Sequence, residues 1–83
     1  MIKMRAKMKI GSIVHNSYGQ TLKMQPVGRA GSYPEDGLDE DNTYAKFTPS
    51  GSLELTITNP VLLNQFQPGE TYYLDFTRAA PAT

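Results

Sequence analysis

Apolar and basic residues alternate without interruption from residue 2 to residue 10, where the sequence reads Ile-Lys-Met-Arg-Ala-Lys-Met-Lys-Ile. A period of two is typical of a β-strand, because successive side chains of a strand point to opposite faces of the sheet. The segment therefore predicts a long strand with one apolar and one basic face. Gly11 follows the alternation, and Ser12-Ile13-Val14 come next. We therefore predict one long strand that is bent at Gly11, because a glycine within a strand commonly marks a bulge or bend.

Four further segments carry strand patterns, so the sequence predicts a five-stranded, mainly β protein. The additional strands are predicted at residues 21–25, 43–48, 52–58 and 71–77. Pro49-Ser50-Gly51 is predicted to connect the second and third of these as a tight hairpin. In the strand that follows, Leu53, Leu55 and Ile57 are predicted to face the core, because they alternate with polar residues.

One short helical turn is predicted just before the last strand, because Asn59 is a good helix cap and Pro60 fits the first helical position. Five short strands favour a small barrel, which limits exposed edges. An OB-fold usually has its helix between the third and fourth strands, whereas SH3-like barrels place a helical turn between the fourth and fifth. We therefore predict an SH3-like barrel, with an OB-like barrel as the alternative.

The length of 83 residues fits a single domain, 1–83. A long acidic loop is predicted at residues 28–42, where glycine and proline recur, and a loose tail at residues 78–83. Loops of this length in compact domains are usually functional or disordered. We therefore expect residues 28–42 to be the most mobile part of the free chain outside its termini.

Charge is balanced overall but separated along the chain. Eight basic and eight acidic residues cancel, yet every charged residue before position 32 is basic. The separation yields two clusters, which we call the basic strand (Lys3, Arg5, Lys7 and Lys9) and the acidic segment (Glu35, Asp36, Asp39, Glu40 and Asp41). Either the charges neutralise one another across neighbouring strands, where Glu54, Glu70 and Asp75 are further candidates, or the clusters bind partners or other copies of the chain.

Composition argues against an enzyme or a metalloprotein. There is no cysteine, and His15 is the only histidine, which excludes disulfides, thiolate zinc sites and a cysteine nucleophile. Nucleophile elbows, glycine-rich phosphate loops and metal-binding histidine pairs do not occur. The acidic segment also fails the EF-hand pattern, because no glycine follows Asp39 and Asp41 at the required offset. We predict no catalytic residue, no cofactor and no metal.

A membrane role is not expected either, since no stretch approaches the roughly 20 apolar residues of a spanning helix. Nucleic acid is a weaker alternative partner. The basic strand could follow a phosphate backbone while Tyr18, Tyr44 or Tyr73 stacks on bases. However, the net charge is zero, and lysine on a strand commonly serves to block edge pairing.

Three stretches resemble small uncharacterised proteins encoded by tailed bacteriophages. They read Tyr-Pro-Glu-Asp-Gly-Leu-Asp-Glu-Asp-Asn-Thr at 33–43, Phe-Thr-Pro-Ser-Gly at 47–51, and Phe-Gln-Pro-Gly-Glu-Thr-Tyr-Tyr-Leu-Asp-Phe-Thr at 66–77. The resemblance carries no established activity and no functional residues. It implies a phage setting, where small cysteine-free β proteins without catalytic motifs often serve as virion components.

We therefore predict a non-enzymatic phage structural protein, made in the host cytoplasm and located in the virion, such as a capsid decoration or cement protein. It would bind a capsid or other virion protein by surface complementarity. The acidic segment would contact a basic surface, and the basic strand an acidic one. The alternatives are a small nucleic-acid-binding barrel and a phage inhibitor that binds a host protein; the separated charges also allow self-association.

Overall fold

A computed structural model of the chain describes residues 3–81. Residue 2 of the predicted first strand and residues 82–83 of the predicted tail lie outside this range. The described residues contain four antiparallel strands and one short 3-10 turn (Pro60–Leu62). The strands are β1 (Met4–Asn16), β2 (Gly19–Pro26), β3 (Leu53–Ile57) and β4 (Thr71–Phe76).

The strands form a single sheet in the order β3-β2-β1-β4. The sheet curls into a half-barrel, with β3 and β4 at its two edges. The mainly β architecture is confirmed, as is the single helical turn before the last strand. The described residues hold four strands rather than the predicted five, so this half-barrel stays open.

β1 follows the predicted alternation and supplies the centre of the core. Ala6, Met8 and Ile10 are buried, and Ile10 is fully buried. The pairing register with β2 shifts between Ile10 and Ser12, which confirms the predicted irregularity at Gly11.

The core occupies one face of the sheet, which we call the inner face. Among residues 3–81, its buried apolar residues come from β1 and β2, the latter contributing Leu22 and Met24. Partly buried side chains from elsewhere pack against them: Ile13, Leu53, Ile57, Phe66, Tyr72 and Leu74. The two edge strands therefore border the core without being enclosed by it.

The predicted strand at residues 43–48 is wrong, because these residues form turns and bends. The Ala45 amide donates to the Asn42 carbonyl at 3.1 Å, and the Phe47 amide donates to the Gly37 carbonyl at 2.6 Å. Phe47 has a φ of 61°, which lies in the left-handed region and is incompatible with a strand. Residues 49–51 consequently lead from a loop into β3 and do not close a hairpin.

Leu55 was predicted to be a core residue, and this prediction is wrong. It lies at the centre of β3 opposite Leu22, yet 51% of its surface is exposed. The physical reason is that the hairpin partner predicted for this edge, residues 43–48, is not a strand. Leu53 and Ile57 do pack against the core as predicted.

Replacement of Leu55 should therefore have a small effect on folding. We expect Leu55→Ala to lower the free energy of unfolding by less than about 1 kcal/mol, since its side chain already contacts solvent. Urea denaturation of dilute protein measures this change. A loss of 2 kcal/mol or more, about the range of a buried leucine, would contradict the observed exposure.

Candidate binding surface

The long segment between β2 and β3 is attached to the edge of β1. β2 ends at Pro26, and the chain then occupies the edge of β1 that β2 has left. The Val27 amide donates to the Lys7 carbonyl at 2.9 Å, and the Thr43 amide donates to the Arg5 carbonyl at 3.0 Å. In return, the Arg5 amide donates to Thr43 Oγ1 at 2.9 Å. These bonds bring the acidic segment beside the basic strand.

Asn42 anchors this attachment and is fully buried. Its Oδ1 accepts from the Lys7 amide at 3.0 Å. Its Nδ2 donates to the Val27 carbonyl at 2.8 Å and to Asp39 Oδ2 at 3.2 Å. One side chain therefore joins β1, the end of β2 and the acidic segment.

Asp39 is a structural residue of the acidic segment. Only 5% of its surface is exposed, and its Oδ1 accepts from the Asp41 amide at 2.9 Å. Burial has the largest single effect on its pKa and raises it. The hydrogen bonds from Asp41 and Asn42, together with attraction to Arg29, outweigh burial and lower the pKa overall.

The lowered pKa of Asp39 makes stability depend on pH. Because the folded pKa lies below the unfolded one, the ionised carboxylate stabilises the fold above the unfolded pKa. That stabilisation is lost as the pH falls through the folded pKa. We expect Asp39→Asn to weaken the acid dependence of the free energy of unfolding, measured by urea denaturation between about pH 2 and 6. An unchanged dependence would contradict the role of this carboxylate.

Arg5 of the basic strand is paired with β4. It lies opposite Asp75 in the register of β1 and β4. Its Nε and Nη2 atoms donate to the two carboxylate oxygens of Asp75 at 2.7 and 3.2 Å. The guanidinium carbon also lies 4.4 Å from the ring centroid of Tyr73. Arg5 thus covers the aromatic face that base stacking at Tyr73 would require.

Lys7 is paired with the acidic segment. Its Nζ lies 3.7 Å from Asp41 Oδ2 and 5.9 Å from the centroid of Tyr73. Basic and acidic residues far apart in the sequence therefore meet on β1. For Arg5, the interpretation that opposite charges neutralise one another across neighbouring strands is confirmed. Lys7 is instead paired with Asp41, which lies in the loop and not in a strand.

The hydrogen bond from Arg5 should affect the pKa of its partner, Asp75. The hydrogen bond from Arg5 has the largest effect on the pKa of Asp75 and lowers it. Loss of solvent opposes this effect, and Coulombic attraction to the guanidinium adds to the lowering. We expect Arg5→Gln to raise this pKa, as followed by the carboxyl carbon signal in NMR. Lys9→Gln, on the same face of β1, should leave it unchanged. Equal effects of the two variants would contradict a specific contact.

The remaining predicted site residues are exposed to solvent. They are Lys3 and Lys9 of the basic strand, and Glu35, Asp36 and Glu40 of the acidic segment. Asp36 accepts a local hydrogen bond from the Leu38 amide at 3.0 Å. The structure therefore divides the predicted site into exposed charges and charges used within the fold.

A groove of about 460 Å³ lies where the end of β4 meets the start of β1. It combines apolar side chains with charges of both signs, and its lining includes Lys3, Glu40, Phe76 and Arg78. Phe76 has 55% of its surface exposed. Phe76 belongs to the predicted last strand and Arg78 to the predicted tail, so neither was expected to line a site.

Large apolar side chains are also exposed at the β3 edge of the sheet and in the turn that follows β3. Besides Leu55 in β3, Val61 and Leu62 in the 3-10 turn expose 78% and 44% of their surface. Single exposed apolar residues are common on soluble proteins. Here three of them lie within eight positions, on the edge strand and the turn that follows it.

Gln20 holds the segment after the 3-10 turn against the sheet. Its Oε1 accepts from the Asn64 amide at 2.9 Å, and its Nε2 donates to Asn64 Oδ1 at 3.2 Å. The same Nε2 lies 3.3 Å from His15 Nδ1. This cluster positions the chain and accounts for the surroundings of the single histidine.

Within residues 3–81, no group of three or more histidine, cysteine, aspartate or glutamate side chains is arranged to hold a metal ion. No helix in this range is long and apolar enough to cross a membrane. Comparison of the chain with models of known families, with curated proteins and with solved structures finds no match.

Proposed function

We propose that the chain is a non-enzymatic structural protein of a tailed-phage virion, such as a capsid decoration or cement protein, which binds its partner by surface complementarity. The observation that best supports this proposal is the amount of surface that the fold leaves uncovered. The accessible surface is 6292 Å². A compact monomer of 9.2 kDa is expected to expose about 4900 Å².

The dimensions of the chain explain this large surface. Its radius of gyration is 15.1 Å, compared with about 12 Å for a compact domain of the same length. Its smallest principal extent is 17 Å. Residues 3–81 form one four-stranded sheet and a single 3-10 turn, so no second complete layer of strands or helices covers the sheet within this range. Domains usually enclose their core between two layers. A partner surface would supply the missing cover, which favours a protein that acts within an assembly.

The exposed charges have a supporting role in this proposal. Glu35, Asp36 and Glu40 would steer the chain towards a basic surface, and Lys3 and Lys9 towards an acidic one. Asp39 is removed from the set of contact residues because it is buried.

A nucleic-acid-binding barrel is a less favoured alternative, because Arg5 and Lys7 already contact Asp75 and Asp41. Phosphate binding would have to compete with these carboxylates. An inhibitor of a host protein would use the same exposed surfaces, so its partner must be found by experiment. The finer assignment of the half-barrel to the SH3-like class stays a prediction.

Adding purified chain back to virions tests the proposal. Virions prepared from a phage in which this gene is deleted should bind the labelled chain to saturation, with a fixed number of copies per particle in co-sedimentation. Nuclease treatment should not release it. A chain that stays in the supernatant would contradict the proposal. Retention by host protein alone would favour the inhibitor, and a steep loss of binding with salt would favour nucleic acid.

The exposed acids can be tested in the same assay. We expect the triple variant Glu35→Gln, Asp36→Asn, Glu40→Gln to bind virions with a severalfold lower association rate at low salt, because steering acts mainly on that rate. Lys23→Gln is a control, since Lys23 lies on β2 opposite Glu54 and outside both clusters. Equal rates for all three proteins would show that the acidic segment does not face the partner.

A further inference from the structure

We propose that two copies of this chain pair through the outer edge of β3, related by a two-fold axis that passes beside Leu55. The two β3 strands would run antiparallel, with Glu54 of one copy opposite Thr56 of the other. The sheets of both copies would then join into one continuous sheet. This inference depends on the geometry of the edge and is independent of the proposed role in a virion.

The hydrogen-bonding phase of the sheet determines which backbone groups the edge of β3 presents. Along a strand in an antiparallel sheet, the amide and carbonyl of one residue point to one neighbouring strand, and those of the next residue point to the other. The Val27 amide donates to β1, so the backbone groups of odd-numbered residues of β2 also point towards β1. The backbone groups of Gln20, Leu22 and Met24 therefore point towards β3. These three residues lie opposite Ile57, Leu55 and Leu53. The amide and carbonyl groups of Glu54 and Thr56 therefore point away from the sheet. No strand of residues 3–81 pairs with them.

This arrangement of Glu54 and Thr56 fits a two-fold pairing about Leu55. The two Glu54–Thr56 pairs would exchange their backbone hydrogen bonds, and Leu55 would face its own copy as a pair without hydrogen bonds. Side chains approach most closely in such pairs, so both exposed leucines would be covered. No like charges stand directly opposite, and Glu54 already lies opposite Lys23 in its own sheet.

The other edge of the sheet is less suited to pairing. The Ile10 amide donates to the Glu70 carbonyl, so the backbone groups of even-numbered residues of β4 point towards β1. The backbone groups of Thr71, Tyr73 and Asp75 therefore point away from the sheet. Asp75 is held by Arg5, which also covers Tyr73. Charged groups of this kind commonly protect an edge strand from association. β3 carries only one charge among five residues.

The chain as a whole exposes more surface than one dimer interface would bury. The chain exposes about 1400 Å² more than a compact monomer of its mass, while a standard interface buries about 800 Å² on each partner. Val61 and Leu62, exposed in the 3-10 turn that follows β3, add apolar surface on this part of the chain. One dimer interface would account for roughly half of the excess area.

Charge complementation at Leu55 tests the proposal. In sedimentation equilibrium the wild-type chain should have the mass of a dimer. Leu55→Glu and Leu55→Lys should each raise the dissociation constant by about tenfold or more, because like charges would then face each other across the axis. An equimolar mixture of the two variants should recover the dimer. Phe76→Glu on the β4 edge is the matched control and should remain dimeric.

Cysteine cross-linking provides a second measurement that does not depend on introduced charges. The chain contains no cysteine, and directly opposed strand residues lie within disulfide range. Oxidised Leu55→Cys should form a covalent dimer, whereas Val14→Cys, exposed on β1, should form far less.

Any of three results would overturn the proposal. The first is a wild-type chain that stays monomeric at every concentration, and the second is a dimer that Phe76→Glu dissociates but Leu55→Glu does not. The third is a mixture of the Leu55→Glu and Leu55→Lys variants that forms no dimer, together with a Leu55→Cys variant that forms no cross-link. Absence of the chain from virions would instead contradict the proposed function and leave the dimer unaffected.

Discussion

Ile10→Ala is expected to lower the free energy of unfolding by about 2–5 kcal/mol, the range for deletion of a large buried aliphatic group. Ile10 is fully buried and lies where three strands meet. It pairs with Met24 of β2. Its amide donates to the Glu70 carbonyl at 2.9 Å, and its carbonyl accepts from the Gly69 amide at 2.7 Å just before β4. A cavity at this position would weaken contacts on both sides of β1.

The effect should be large relative to the total stability, because a core of this size seldom supplies more than about 3–5 kcal/mol. Val14→Ala is the matched control, since Val14 lies on the same strand with 45% of its surface exposed. It should cost less than about 0.5 kcal/mol. Urea denaturation of both variants gives the comparison. Similar losses for the two would show that the core is not centred on Ile10.

Asn42→Ala is expected to cost about 2–4 kcal/mol, because it removes three hydrogen bonds and leaves buried backbone groups without a partner. The affected groups are the Lys7 amide and the Val27 carbonyl. Amide hydrogen exchange of Lys7 should become faster as residues 27–43 detach from β1.

Asn59→Ala is the control for Asn42→Ala. Asn59 also uses its side-chain oxygen to accept from an amide, that of Val61 at 3.0 Å, but at an exposed site. It should cost about 1 kcal/mol or less. Unchanged exchange at Lys7 in Asn42→Ala would contradict the anchoring role of Asn42.

Strands with strict alternation were predictable from the sequence, because the period of two is a local property. β3 and β4 fall within predicted segments, whereas β1 and β2 overlap theirs and extend beyond them. The predicted irregularity appears at Gly11. Residues 43–48 carry a similar but shorter pattern. There the contacts of Asn42 with β1 and the left-handed conformation of Phe47 outweigh the local preference.

Periodicity indicates which face a side chain occupies but not whether anything covers it. Leu55 shares a face with Leu22, yet one is half exposed and the other buried, because only Leu22 has a strand on each side. In the same way, the glycine and proline content of residues 28–42 predicts a mobile loop and does not reveal that Asp39 is buried. The burial of Asp39 depends on Asn42, which is anchored to Lys7, 35 residues earlier in the chain.

The pairing of the charged clusters was predictable only as one of several alternatives. Asp75 was one of three acids considered as partners for the basic strand, and the register of β1 and β4 selects it for Arg5. The contact between Lys7 and Asp41 depends on the loop attachment through Thr43 and Asn42. No local pattern in the sequence encodes that attachment.

In the proposed function, this chain works as a bound component of a virion. Quantitative mass spectrometry of virions, purified through a density gradient from a phage whose genome carries this sequence, tests the proposal most directly. We expect the chain to sediment with the major capsid protein and to keep a constant molar ratio to it in every particle fraction. Its absence from these fractions, or a ratio that varies as for a soluble contaminant, would contradict the claim.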